Sequence, residues 1–317
     1  MSAPKIITLP QIKAALKDID VFTDIENGFA AYSKGEAVIP PVGEMLFENP
    51  PGELHIKYGY LKSGAYYVVK IASGFPQNFK QGLSTGQGMM LLFDQETGVV
   101  KGVLLDEGYL TEIRTAVAGA LAAKYMAPKK INCIGIVGTG LQGKFQLEHL
   151  ATVTTCRKVI VYGRTPANRA TYPAYFAGTD WEIELTDDVA YLAKNSQLIV
   201  TTTPATAPLL QADWINPGTH ITAMGSDTVH KIELDPAILG KADIVVVDSL
   251  SQSESRGEIY QSVKAGTLNR AEVVEIGQII NAPELGRQND AQITVTDLTG
   301  VAIQDLMIAK AVFEGVE

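Results

Sequence analysis

The chain has 317 residues, 46% of them hydrophobic and 19% charged, with a formal net charge of −9. Single cores stop growing at roughly 250–300 residues, so this length predicts two domains; the acidic balance argues against nucleic acid as a partner; and no apolar run reaches the roughly 18 residues of a membrane span. MSAPKIITLPQ lacks the basic-then-apolar pattern of a signal peptide, and Cys133 and Cys156 form no disulfide framework, which leaves a cytoplasmic enzyme as the expectation.

Residues 11–33 set Ile12, Leu16, Ile19 and Val21 among polar positions and predict one amphipathic helix. PPVGEMLFENPPGELHI (40–56) reads as turn-rich. It leads into LHIKYGYL, AYYVVKIASGF, GMMLLFD and GVVKGVLLDEG, short β-branched or aromatic runs that predict an antiparallel sheet. The alanine-rich stretch 111–126 predicts a helix that Ala127-Pro128-Lys129-Lys130 breaks. From Ile131 the texture changes. IGIVG, KVIVYG, LIVTTT, HITAMG and DIVVVD alternate with helical patches, the pattern of a parallel sheet covered on both faces. QITVTDLTG (292–300) adds a strand before an amphipathic helix over 301–313. The predicted fold class is therefore α/β.

In IGIVGTGLQGKFQLE, Gly138, Gly140 and Gly143 have the G-x-G-x-x-G spacing between a strand and a helix. The first glycine permits the tight turn, the second lets backbone approach a pyrophosphate, and the third lets helix pack on strand. Thr139, Leu141 and Gln142 fill the loop, and the following helix N-terminus suits phosphate. A purely structural turn is the alternative. After the second strand, Lys158–Tyr162, come Gly163, Arg164 and Thr165 where an NAD site usually offers a carboxylate. An arginine there favours a 2′-phosphate, hence NADP(H) over NAD(H), the alternative being an exposed loop arginine that leaves cofactor use relaxed. Thr202, Thr203 and Pro204 end the next strand and, with Met224 and Gly225, are expected to line the cofactor.

Among candidates for chemistry, Lys70 ends the apolar run Tyr66–Val69, where it either opens on a cleft or snorkels. Arg114 lies early in a small, apolar helix and suits a carboxylate, or else pairs with Glu112 or Asp106. Asp227 follows a parallel strand, as a ligand-contacting group or as a turn residue. The four histidines, His55, His149, His220 and His230, have no zinc-like spacing, so no metal is expected.

The combination VVKIASGFPQN, GYLTEIRTAVAGALAAKYMAP, GIVGTGLQG, AMGSDTVHKIELD and TGVAIQDL resembles the ornithine cyclodeaminase/μ-crystallin family over about residues 11–313. The resemblance implies a Rossmann dinucleotide-binding domain (127–300) and a discontinuous α+β substrate-binding and dimerisation domain (1–126 plus 301–317), paired into a homodimer through its sheet. It implies that Lys70 contacts the substrate carboxylate and assists proton transfer, that Arg114 grips the α-carboxylate beside the cofactor, and that Asp227 handles the imine or amine. It also implies that Thr85, whose alternative is a plain turn hydroxyl, stands near the nicotinamide, with Thr299 and Gly300 closing the site below it.

This sequence departs from the family in two places. PPVGEMLFE lacks an arginine that many relatives carry, and Lys57 stands near the position where cyclodeaminases place a glutamate for the distal amine. Lys57 and His55 can supply that missing positive charge instead, although His55 alone reads equally as a packed strand residue. Both changes disfavour a dibasic substrate. The reading is an NAD(P)H-dependent reductase of cyclic ketimines or α-imino acids, similar to Δ1-pyrroline-2-carboxylate reductase. Ornithine cyclodeaminase and alanine-type amino-acid dehydrogenase are the enzymatic alternatives, and a μ-crystallin-like, NADPH-gated binding protein is the non-enzymatic one.

Overall fold

A computed structural model describes residues 3–316. The chain forms two compact units, Met1–Arg114 with Val301–Glu317, and Thr115–Gly300. The sequence reading put the first boundary at the breaker after residue 126; the units instead part inside the helix, between Arg114 and Thr115. No glycine–proline punctuation marks that point, because the helix itself continues through it to Met126.

The first unit begins with β1 (Lys5–Thr8), α1 (Leu9–Ala15) and α2 (Val21–Ser33). The expected single helix over 11–33 is thus two. Leu16 closes the first, its N–H donating to the Ile12 carbonyl. Asp20 starts the second by accepting from Thr23 N at 3.1 Å and Thr23 Oγ1 at 2.7 Å. Then come β2 (Ala37–Val38), β3 (Gly43–Glu48), β4 (Pro51–Leu61), β5 (Tyr66–Gly74), β6 (Gly86–Asp94), β7 (Val100–Leu105) and α3 (Tyr109–Met126). The segment read as turn-rich is a β3–β4 hairpin, paired from Gly43↔Ile56 to Glu48↔Pro51. In space the strands run β1-β7-β6-β5-β4-β2, with β3 also on β4. All pairs are antiparallel except β1 with β7.

Alternation assigns this sheet two faces. One carries Ile7, Leu104, Met90, Val68 and Lys70, all buried. The other leaves Ile6, Tyr58, Met89 and Leu105 exposed.

The second unit contains β8 (Ile134–Val137), α4 (Leu141–Leu150), β9 (Lys158–Tyr162), α5 (Pro166–Thr171), β10 (Glu182–Thr186), α6 (Val189–Asn195) and β11 (Leu198–Thr201). It continues with β12 (Thr206–Leu210), β13 (His220–Ala223), β14 (Ile232–Leu234), α7 (Pro236–Lys241), β15 (Ile244–Val247), α8 (Gly257–Ala265), β16 (Val273–Glu275), α9 (Ile276–Asn281) and β17 (Thr294–Asp297). Within the described residues, eight strands form one parallel sheet in the order β10-β9-β8-β11-β13-β17-β15-β16. The chain winds outward from β8 to β10, then returns to lay β11 on the other side of β8. That reversal is the point where open parallel sheets bind ligands, beyond the carboxyl ends of the strands. A separate parallel pair, β12 with β14, follows the ends of β11 and β13.

The chain then re-enters the first unit as α10 (Ala302–Gly315). Ile303, Leu306, Ile308 and Val312 are buried in it. Glycines on the facing elements admit the helix: a Cβ at Gly28 would sit 2.6 Å from Met307 Cγ, and one at Gly102 would sit 2.8 Å from Phe313 Cδ2. Truncating Ile303 to alanine removes a fully buried side chain from this seam. The expected loss is about 2–5 kcal/mol of stability, read from the midpoint of urea unfolding.

Candidate active site

In the first unit, strand register collects the basic residues. Lys70 lies in the middle of β5 rather than at the end of a strand, paired with Lys57 on β4 and Met90 on β6. The apolar run appeared to stop at Val69 because the core face admits a lysine there. α10 supplies the reason. Asp305 Oδ1 is 3.1 Å from Lys70 Nζ and 3.0 Å from Arg114 Nε. Asp305 is fully buried, Lys70 is 2% exposed and Arg114 5%. Arg114 also donates from Nη1 to Gln304 Oε1 at 3.2 Å. Neither Glu112 nor Asp106 is the carboxylate that holds Arg114; the partner comes from a helix almost two hundred residues later in the chain. Asp106 instead caps α3, its Oδ2 accepting from Leu110 N at 2.8 Å.

Burial, then the neighbouring Arg114 guanidinium, lower the Lys70 ammonium to about 7, while Asp305 pulls it back up. An amine with that value exchanges a proton near neutral pH. His55 is half-buried on β4, 3.6 Å from Glu44 and 3.8 Å from Glu53, so carboxylates flank the imidazole on two sides. Thr85 is exposed in the turn before β6, where its carbonyl accepts from Phe75 N at 2.8 Å.

In the second unit, the glycine loop joins β8 to α4. Gly138 has φ +126°, a conformation that side chains rarely adopt. A Cβ at Gly143 would sit 2.2 Å from the Gly138 carbonyl oxygen, so helix and turn touch backbone to backbone. Gly140 is the N-cap of α4, with open space in front of it. The first-turn N–H groups of Leu141, Gln142 and Gly143 therefore begin behind a residue that has no side chain to cap them. That cradle fits the pyrophosphate of a dinucleotide.

The neighbouring loops close on it. Gly163 packs against Thr139, and a Cβ on Gly138 would sit 2.4 Å from Thr202 Oγ1. Arg164 is exposed, ahead of Thr165 at the start of α5. Arg169 is held by the Gly163 carbonyl at 2.6 Å and by Asp187 at 3.4 Å.

Glu233, on β14, ties two of these loops together. Its Oε1 accepts from Thr203 N at 2.6 Å and Thr203 Oγ1 at 2.7 Å; its Oε2 accepts from Thr201 Oγ1 at 2.7 Å and Gly225 N at 2.8 Å. Burial raises this carboxyl above its ordinary range, and those four bonds offset only part of the rise. Pro204 follows the first loop and Met224 precedes Gly225 in the second. Asp227, half-buried on the same second turn, is 2.7 Å from Lys231 Nζ. Thr299 and Gly300 are anchored by Asp248, which accepts from Thr299 Oγ1 at 3.2 Å and Gly300 N at 2.6 Å. Among the described residues, no group of histidine, cysteine and acidic side chains is arranged to hold a metal ion.

Sequence reasoning missed Asp305 and Glu233. Each was visible only as an acid in an apolar setting, AIQDLMIA and KIEL, and its partners lie far away in the chain.

The profile of the ornithine cyclodeaminase/mu-crystallin family matches residues 5–317, and the chain belongs to this family. An archaeal alanine dehydrogenase dimer with bound NAD superposes with a TM-score of 0.90 at 34% identity, covering 98% of this chain and 95% of that one. The Δ1-pyrroline-2-carboxylate reductase of Thermococcus litoralis, solved with NADH and L-proline, gives 0.91 at 27% identity, covering 98% and 97%. The iminosuccinate reductase of Paracoccus denitrificans, in complex with NAD+, gives 0.88 at 32% identity, covering 98% and 96%.

Asp305→Asn would leave Lys70 and Arg114 buried without their carboxylate. Removing one partner of a buried ion pair costs about 3–5 kcal/mol, measurable by denaturant unfolding. Because Asp305 raises Lys70, its loss is expected to move that amine below its present value of about 7. The pH dependence of amine acetylation checks this.

Proposed function

We propose that this protein is an NAD(P)H-dependent oxidoreductase acting on C=N and CH–NH groups, reducing an α-imino acid or cyclic ketimine to the amino acid. The observation that carries the reading is the buried Lys70–Asp305–Arg114 group: two cations on one carboxylate oxygen, with Lys70 able to change protonation near neutral pH. Alanine, proline and iminosuccinate, the compounds named for the three relatives, share a carboxylate next to the carbon bonded to nitrogen.

A nicotinamide cofactor supplies the hydride for reduction and accepts it for oxidation. In the proposed site the Arg114 fork binds the α-carboxylate and orients the substrate. Lys70 adds charge to that grip and holds the proton that the nitrogen gains. Asp227 is the second candidate for proton handling. Gly138 to Gly143 hold the pyrophosphate, Gly225 and Thr203 line the ribose and nicotinamide side, and Glu233 sets the spacing of those loops. Arg164 at the end of β9, with no acid beside it in GRT, supports NADP(H) over NAD(H). Free thiols at Cys133 and Cys156 suit a reducing, cytoplasmic setting.

The exposed apolar face of the first sheet supports a homodimer, as in the relative solved as a dimer. Leu105, 39% exposed on that face, is a suitable probe. Wild-type protein is expected to sediment at about twice its 34.0 kDa. Leu105→Asp should shift it toward the monomer, and a monomeric wild type would remove this proposal.

The activity test follows absorbance at 340 nm with NADPH and NADH against Δ1-pyrroline-2-carboxylate, Δ1-piperideine-2-carboxylate, and 2-oxo acids mixed with ammonium. Turnover of one imine, reduced at least a hundredfold in Lys70→Ala and Arg114→Ala, is the expected result. Ammonia release from ornithine without net change in the dinucleotide would instead establish a cyclodeaminase. The Lys70 value fixes the sign of the pH profile. Reduction needs the protonated amine and should fall as pH rises through about 7, whereas amino-acid oxidation should rise through the same value. If the pH limb survives in Lys70→Arg, Lys70 is not the titrating group.

A further inference from the structure

The turn after β9 carries no acid in its own sequence, GRT, yet the fold brings one to it. β10 and β9 pair in parallel register from Glu182↔Lys158 to Thr186↔Tyr162. Asp187, the next residue after β10, therefore comes level with Gly163, the place where a dinucleotide fold usually offers a carboxylate to the ribose 2′-hydroxyl. Asp188 beyond it is committed to α6, accepting from Ala190 N at 2.9 Å and Tyr191 N at 3.1 Å. Asp187 instead meets Arg169, whose Nη2 lies 3.4 Å from its Oδ2.

Arg169 is held in this place from two sides. Its Nη1 donates to the Gly163 carbonyl at 2.6 Å, so the guanidinium bridges the ends of β9 and β10. Three residues on, the buried Tyr172 donates from its hydroxyl to the Gly143 carbonyl at 2.8 Å. The α5 segment is thus tied both to the turn after β9 and to the third glycine of the phosphate loop. Gly163 has no room for a side chain, since a Cβ would sit 2.6 Å from Thr139 Cγ2. The turn that presents the exposed Arg164 therefore abuts the pyrophosphate cradle. Within the Arg169–Asp187 pair the acid is 83% exposed and the arginine 16%. An ion pair this open to water adds little to stability. Its consequence falls on whatever charge settles beside it.

Resting on the dinucleotide-binding part of the reading above, we infer that Arg169 is a specificity-determining residue for the 2′-position of the adenosine ribose: it neutralises Asp187 and, with Arg164, makes the end of β9 a site for a 2′-phosphate. With the pair intact, two guanidiniums stand against one carboxylate, and a phosphate dianion is attracted. With Arg169 removed, Asp187 becomes an uncompensated acid that repels a 2′-phosphate and accepts from a 2′-hydroxyl. One exposed ion pair thereby sets the choice between two dinucleotides that differ by that phosphate alone.

The test measures NADPH and NADH binding to the full chain by nicotinamide fluorescence, a readout that needs no turnover of any imine. Wild type is expected to bind NADPH about tenfold more tightly than NADH. Arg169→Leu should lower the NADPH-to-NADH affinity ratio by about tenfold or more, and Arg169→Lys should keep part of it. Asp187→Asn alters an exposed side chain, so it reads the charge without disturbing the fold, and it should raise the ratio. Arg169→Leu combined with Asp187→Asn should recover part of the preference that Arg169→Leu loses, because the acid it uncovered is gone. Wild type that binds NADH as tightly as NADPH, a ratio unmoved by Arg169→Leu and by Asp187→Asn, or a double variant no better than Arg169→Leu overturns the assignment. Failure of both dinucleotides to bind overturns it together with the cofactor reading. The expected binding pattern with no imine reduced supports the assignment and overturns the reductase reading alone.

Discussion

One carboxylate oxygen, Asp305 Oδ1, receives both Lys70 and Arg114 inside the first unit. Without it, β5 and α3 would each carry an unbalanced charge into a low-dielectric interior, at a cost of several kcal/mol per ion. The chain meets this requirement by bringing α10 back to the sheet after the second unit is complete. The discontinuity of the first unit and the chemistry of its basic residues are thus the same fact. Gly28 and Gly102 let α10 approach closely enough for Asp305 to reach both cations.

The second unit solves a different problem, how to present backbone to a polyanion. Its glycines do so by absence of side chain, at a turn where Gly138 has positive φ and Gly143 touches the turn carbonyl. The carboxyl-end loops that border this turn are held by a buried acid, Glu233, with four hydrogen bonds. Glu258 holds the strand that carries Glu233 in turn, accepting from Glu233 N at 2.7 Å and Leu234 N at 3.2 Å. Fully bonded networks of this kind are rigid, and loops on a rigid support keep a cofactor's reactive atom in one place.

The charge balance of the first unit also sets the protonation of its buried amine. A buried amine lowered to about 7 changes protonation where an enzyme works. Lys57, its register partner on β4, is likewise buried.

Much of this was legible in the residues themselves. The G-x-G-x-x-G spacing determined the strand–turn–helix and its cradle, because turn geometry and helix packing act over a few neighbouring residues. The alternation of apolar runs with helical patches determined the parallel sheet, and the strands read from 134 to 247 stand close to where periodicity put them. The combination of motifs determined the family. Tertiary structure alone decided that 11–33 breaks at Asp20, that Lys70 lies mid-strand beside Lys57, that the units part at Arg114, that Asp305 meets Lys70 and that Glu233 meets Thr203. The physical reason is range. Propensity and spacing speak for local backbone, whereas a buried charge is settled by whichever opposite charge the fold carries to it, here from the far end of the chain.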